Sequence, residues 1–306
     1  MSVKWWLGAF LFLCCSVAIF LNLLIFMPVY RLAFSSKKSS VYIIAFFNII
    51  TDLWLLTMLA MFLVPSIMTD KFLGGAPDSF TSVFVTGIWF CIWHIECMTQ
   101  VVMATNRLVI ITFRKYNVFT YRFTMLVYLL VVVLATISSF IDQTMMPCCV
   151  FIIDHRYLSF SFIHKEGVYN YSNFLLMSYN IVCTFTPSIS YMIVFITIRH
   201  AEASVAGHVS QDKNKQDVKY LVQFVFISIF YIFTWISFEI LPYVVPSGQV
   251  EWFVLVPILI TLNSSSNSVI YLSVNREIQK TVPIPWLRKK LCKSTLDSIA
   301  AVVPNN

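Results

Sequence analysis

Seven apolar runs, each long enough to cross a lipid bilayer, constrain this 306-residue chain more than any other feature. They are Leu7 to Tyr30, Val41 to Met68, Ser82 to Phe113, Thr124 to Met146, Phe174 to Ile198, Val218 to Val245 and Val250 to Val274. A hydrocarbon core of roughly 30 Å takes about 20 apolar residues per helix. With 59% hydrophobic and only 11% charged residues, the chain has too little polar surface to solvate a soluble globule of its length. Barrel strands would alternate polar and apolar residues over about ten positions, and these runs do not alternate. The expected fold is an all-α membrane protein, a bundle of seven transmembrane helices.

The first run is about twice the length of a signal-peptide core and lacks a small-residue cleavage site. The basic stop YRLAFSSKK follows it, so it is expected to be a retained helix. Of the 21 lysines and arginines, only Lys4, Lys71, Arg156 and Lys165 fall on one side of the bundle. The positive-inside rule then places the N-terminus outside and the C-terminus in the cytoplasm, an arrangement an odd number of spans satisfies. The net charge of +7 is spread over four short segments. It is a collar for membrane lipids, not a nucleic-acid patch. Residues 1–282 are expected to form one membrane domain and 283–306 a cytoplasmic tail.

Polar residues inside the runs carry the chemical information. At 1.5 Å per residue, Glu96 lies roughly 16 Å above Arg107 and Asp52 a similar height above Val41. Asn22, Asn263 and Asn267 fall near the same depth, so four helices bring polar groups to the midplane. In the seventh run Asn263, Asn267, Tyr271 and Asn275 repeat every four residues, flanked by Ser264 and Ser268. In the third, Trp89, Trp93, Glu96, Gln100 and Arg107 form one stripe. An isolated charge in hydrocarbon costs several kcal/mol, so Asp52 and Glu96 are expected to share a proton, a cation such as Na⁺, or the surrounding amides and hydroxyls. Two readings stand: a structural network that glues helices, and an ion or proton site that biases the bundle between two packings.

At the outer half, Trp89, Trp93 and His94 of the third run and Trp235, Phe238 and Glu239 of the sixth offer an aromatic pocket with one carboxylate. That composition suits a small, partly apolar ligand. Helix packing alone also accounts for the aromatics, whereas Glu239 needs a partner. NYS at Asn170 to Ser172 is a glycosylation sequon. Cys292, in WLRKKLCKS, is a palmitoylation candidate. The five histidines show no metal spacing. No paired nucleophile and base or phosphate loop is visible, so neither an enzyme nor a cofactor is expected.

Taken in order, several motifs resemble those of rhodopsin-like receptors that couple to G proteins, and within them the nematode serpentine chemoreceptors of the x class or a neighbouring one. FLNLLIF is similar to the first-helix asparagine motif at Asn22, and ITDLW to the second-helix aspartate motif at Asp52. ATNRLVI resembles the aspartate-arginine-tyrosine motif, with Asn106 for the acid and Leu108 for the tyrosine. NSSSNSVIY resembles the Asn-Pro-x-x-Tyr motif with Ser268 for the proline, and Pro187 matches the fifth-helix proline.

The resemblance implies a plasma-membrane, multi-pass receptor, as in the ciliary membrane of sensory neurons, for a small environmental molecule, with a heterotrimeric G protein as partner. It implies that Arg107 is the G protein switch, with Tyr271 its partner and Asp217 a candidate inactive-state counter-ion. Asp52, Asn263, Ser264 and Asn267 match the family's sodium pocket, with Glu96 where a serine is usual. Trp89 stands where amine receptors place an aspartate, which argues against a biogenic amine there. Ser237 stands at the sixth-helix kink proline, with Pro242 nearby to supply a bend. The family's external disulfide has no evident pair, because Ser82 stands near the third-helix position and the adjacent Cys148 and Cys149 are not expected to close on each other. The alternative is an ion- or proton-conducting transporter or ligand-gated channel; the absence of a repeat or of glycine-broken helices argues against a transporter.

Overall fold

The computed structural model describes residues 2–36, 39–115, 117–163, 166–204, 229–246 and 248–285. Helix α1 spans Val3–Tyr30, α2 Ser40–Met58, α3 Phe80–Ile111, α4 Tyr121–Phe140, α5 Tyr171–Ser204, α6 Ile229–Val244, α7 Leu255–Val274 and α8 Arg276–Thr281. Six of these, with the wider turns that extend them, are long and apolar enough to cross a membrane, and α6 is a shorter apolar helix. Together they make the expected seven-helix bundle. The sixth run's inner part, from Val218, lies outside the described residues, as do Asp217 and Cys292.

Local sequence explains how the helices begin and bend. The hydroxyls of Ser2, Ser79 and Thr120 accept from backbone N–H groups of the first turns of α1, α3 and α4, satisfying donors that have no partner inside the helix. Helix α2 passes through a wider turn at Leu59–Leu63 before resuming at Val64–Thr69. The turn immediately precedes Pro65, whose ring would strike the carbonyl four residues back in a regular helix. Gly8 lets α1 close on α2, since a Cβ there would lie 2.8 Å from Met68 Cγ.

Helix α3 is the central pillar, packing against α2, α4 and α5. Three apolar clusters follow from this arrangement. One, at the Phe80 end of α3, gathers Trp89, Trp93, Tyr231 and Phe151; a second joins α1, α2, α7 and α8; a third joins α3, α4 and α5 around Met103, Tyr128 and Tyr191. The outward faces of α1, α4 and α5 carry residues such as Phe10, Leu13, Leu129, Leu130, Phe185 and Met192, all exposed. In water such a belt would aggregate, and in lipid it is the favoured contact.

The segment between α4 and α5 departs from a purely helical fold. It forms an antiparallel hairpin, β1 (Phe151–Asp154) and β2 (Ser159–Phe162), registered Phe151 to Phe162 and Asp154 to Ser159. Phe151, Ile152 and Phe160 are buried, so the hairpin is folded onto α3 rather than held in solvent. Arg156 clamps its turn by donating to both carboxylate oxygens of Asp154, at 2.9, 3.2 and 2.7 Å. Burial would push the Asp154 carboxyl up, but Arg156 and Ser161 outweigh it and hold it below the usual range. Cys148 and Cys149, contrary to the sequence expectation, are bonded to each other. Pairing of neighbours is accommodated because Cys149 adopts a positive φ of 82°, a conformation non-glycine residues seldom take.

Candidate functional site

The midplane cluster is assembled by α7. Asn263 and Asn267 are one turn apart on that helix, and each amide serves one acid: Asn263 Nδ2 donates to Glu96 Oε1 of α3, and Asn267 Nδ2 donates to Asp52 Oδ2 of α2 at 3.0 Å. Asn48, one turn before Asp52, donates to the same oxygen at 2.8 Å. Asp52, Glu96, Asn263 and Ser264 have no solvent exposure, and Asn267 only 1%. The two carboxylates lie near enough for their charges to interact.

What this pocket could hold follows from its loose ends. Asp52 Oδ1, Glu96 Oε2, Asn263 Oδ1 and Asn267 Oδ1 are buried without a close hydrogen-bond partner, and the Ser264 hydroxyl lies beside the Asp52 carboxyl. Five oxygens in one dry place, two on carboxylates, fit a proton or a hard cation such as Na⁺ and leave a soft transition metal without nitrogen or sulfur. Among the described residues no group of three or more His, Cys, Asp or Glu could hold a metal ion.

Asn22 extends the cluster to α1. It donates to the carbonyls of Ala18 and Ser264, each at 3.0 Å, and accepts from Ser268 Oγ at 2.7 Å. The serine at the expected proline position thus ties α7 to α1. Asn275 ends the same stripe but acts elsewhere, its Oδ1 capping α8 by accepting from the N–H groups of Glu277 and Ile278. Tyr42 of α2 donates to Glu277 Oε2 at 2.6 Å, fastening that cap to the bundle.

Toward the hairpin end lies an aromatic chamber. Trp89, Trp93, Trp235 and Phe238 line it, with Phe151 and Phe160 from the hairpin as its roof. Trp89 stacks on Trp93 at 5.7 Å and on Phe160 at 4.0 Å between ring centroids. Its floor is a hydrogen-bonded knot on Asn180 of α5, whose Oδ1 accepts from Trp93 Nε1 of α3 at 3.3 Å and from Tyr231 OH of α6 at 2.8 Å. Trp235 Nε1 donates to Thr184 of α5 at 3.0 Å. Side chains of α3, α5 and α6 therefore meet under one chamber.

Two of the sequence-selected pocket residues lie elsewhere. His94 is fully buried between the rings of Phe90 and Tyr179, with Nδ1 2.9 Å from the Phe90 carbonyl. Glu239 faces a second, outer cavity, where Asn173 reaches it. Asn170 borders that cavity too, and its Oδ1 caps the start of α5 by accepting from Asn173 N at 2.9 Å. At the opposite end of α3 Arg107 is half-buried beside the buried Asn106, and Tyr271 is buried on α7.

Sequence reasoning passed over Asn48, Asn173, Asn180, Tyr231 and the hairpin phenylalanines. Asn180 was findable as a lone amide in an apolar run. The alternation of SFSF from Ser159 to Phe162 is the sequence trace of the second strand, although burial there does not alternate: Ser159 and Phe160 are buried and Ser161 and Phe162 partly exposed.

A central α3, acids and amides converging on α7, and a hairpin-roofed chamber are thus set within a bundle of seven membrane helices. The chain belongs to the serpentine-type seven-transmembrane G protein-coupled chemoreceptor family Srx, whose sequence model matches residues 12–275. Among solved structures it is similar to the crystal structure of squid rhodopsin, with a TM-score of 0.69 over 99% of this chain and 88% of that one at 12% identity. At that identity the likeness speaks for the fold alone. No curated protein sequence matches the chain.

Proposed function

We propose that this multi-pass membrane protein is a chemoreceptor that binds a small, partly apolar molecule at its hairpin end and activates a heterotrimeric G protein at the other. The observation that carries the reading is the knot on Asn180, whose single oxygen accepts from Trp93, Tyr231 and, at a longer 3.7 Å, Cys97, joining the wall of the aromatic chamber on α3 to α5 and α6. A ligand that shifts Trp93 cannot leave Asn180 and Tyr231 unmoved, because a buried donor left without an acceptor costs about 1–3 kcal/mol. The midplane cluster one turn below would hold Na⁺ or a proton through Asp52, Glu96, Asn263, Ser264 and Asn267, giving the bundle two packings of different charge. Arg107 and Tyr271 would then open the face that meets the G protein, with the N-terminus outside the cell. The family's sensory role points to the plasma membrane of a sensory cell, including its ciliary part.

Guanine-nucleotide exchange tests this reading. Receptor reconstituted with a heterotrimeric G protein is expected to accelerate exchange when volatile or secreted small molecules are added, and Trp93→Ala is expected to raise the concentration required. Ligand-evoked currents in vesicles free of G protein would establish the channel or transporter reading in its place.

A further inference from the structure

The outer cavity differs from the aromatic chamber in size and in charge. Its volume is about 420 Å³, against about 20 Å³ for the chamber beneath. Small-molecule sites occupy roughly 300–1,000 Å³, so the outer cavity has room for a ligand in this packing, whereas the inner chamber must widen to take one. Phe160 and Phe238 border both, and those two rings form the partition.

Its lining is aromatic and carries a single charge. Tyr157 of the hairpin turn meets Phe253 edge-on at 5.5 Å between ring centroids, and Phe162 meets Phe238 at 6.3 Å. Among the described lining residues Glu239 is the only acid, and no lysine, arginine or histidine is present to balance it. Its Oε2 accepts from Asn173 Nδ2 at a long 3.4 Å, and its Oε1 is buried with no hydrogen-bond partner. Rotation about the terminal side-chain torsion, which is soft, presents either oxygen to the cavity.

From these features we infer that the outer cavity binds a small organic cation, its ammonium group held by Glu239 and by the rings around it, its apolar end against Phe160 and Phe238. A carboxylate without a counter-charge in apolar surroundings is costly, and a ligand cation removes that cost. Aromatic rings add attraction through their electron-rich faces, most strongly when the cation is desolvated. An anionic ligand meets Glu239 with no described basic residue in compensation. A neutral ligand leaves Oε1 unpaired. The aspartate that amine receptors carry on the third helix is absent here, and Glu239 supplies an acid from the sixth, on the other side of the partition. The inference rests on the receptor reading only for its signalling consequence; binding itself is independent of it.

The test uses purified full-length receptor in lipid nanodiscs, the isosteric pair phenyltrimethylammonium and tert-butylbenzene, and the larger anion 4-tert-butylbenzoate. Phenyltrimethylammonium is expected to bind at least about tenfold more tightly than tert-butylbenzene, the equivalent of about 1.4 kcal/mol, and the benzoate least of the three. Glu239→Gln is expected to lower affinity for the cation about tenfold and to leave tert-butylbenzene unchanged, while Glu239→Asp keeps part of the preference. Equal binding of cation and neutral probe, or a Glu239→Gln receptor that retains the preference, overturns the proposal. If Glu239→Gln does not fold, Phe253→Leu in the otherwise intact receptor decides, since loss of a ring face weakens the cation severalfold and spares the neutral probe; an unchanged ratio overturns the proposal there too. Glu239-dependent binding without nucleotide exchange for any ligand would leave the cation site standing and remove the receptor reading. Exchange driven only by uncharged ligands would do the reverse.

Discussion

Asn180 and the two midplane acids show how much rests on single side chains. Tyr231→Phe removes one donor from Asn180 Oδ1 and leaves Trp93 bonded, so it is expected to cost about 1 kcal/mol. Asn180→Ala takes the acceptor from Trp93 in a dry site and leaves Tyr231 only Cys97 Sγ, at 3.1 Å, and is expected to cost about 2–4 kcal/mol. Thermal unfolding of purified receptor should rank them in that order, with the double variant close to Asn180→Ala because both act on one bond set. For the midplane pair, Asp52→Asn combined with Glu96→Gln keeps shape and removes both charges. The wild-type ligand response is expected to depend on sodium and on pH, and that variant is expected to lose both dependences; dose-response curves at several sodium concentrations and pH values check it. A wild type indifferent to both removes the ion or proton site from the mechanism. Depth and face of these acids were legible in sequence, because a helix converts residue spacing into height and direction. Which amide would meet which acid was not, because helix rotation and register are set by packing between residues far apart in sequence.

Among the described elements, the hairpin is expected to dock in a pH-dependent way. His155 in its turn lies edge-on to Phe72, with ring centroids 4.4 Å apart, and its Nε2 is 3.8 Å from Asp70 Oδ1, which itself pairs with Lys4 at 2.9 Å. Burial, aided by the Lys4 and Arg156 cations, lowers the His155 pKa from 6.5, against the opposing pull of Asp154 and Asp70. A histidine with a lowered value favours the docked state when neutral, so its contribution is fully present above 6.5 and is lost as pH falls below it. The Asp154 carboxyl, held below its usual 3.8, and the Asp70 carboxyl, lowered by the Lys4 hydrogen bond, stay ionised across that window and do not reverse the trend. Hydrogen exchange over 151–162, corrected for intrinsic rates, is therefore expected to quicken as pH drops below 6.5, and His155→Phe is expected to flatten the change. Helix runs were readable as elements because lipid demands long unbroken apolar stretches. The hairpin escaped because four-residue strands carry too few alternations to stand out beside the long apolar runs, and the Cys148–Cys149 bond escaped because adjacent cysteines seldom pair and the positive φ at Cys149 is set by the fold.

At the scale of the molecule, the proposal requires that the two ends of α3 be coupled. Arg107→Ala is expected to leave ligand affinity within about threefold of wild type while reducing nucleotide exchange by an order of magnitude or more, since the arginine lies at the far end of α3 from both cavities. Parallel binding and exchange assays separate the two, and a receptor that exchanges normally without Arg107 would break the assigned switch. Composition and run length by themselves determined that the chain is a helical bundle in lipid, and the ordered motifs pointed to the family that the chain-wide match establishes. These are local or additive properties: each span is written within its own residues, because a membrane helix satisfies its backbone internally. Tertiary structure alone decided that Asn263 and Asn267 divide the two acids between them, that Asn180 ties α3 to α6, and that Glu239 looks into an outer cavity rather than the aromatic chamber. Such pairings depend on the relative rotation of helices and on a hairpin folded over their ends, and no single stretch of sequence holds that information.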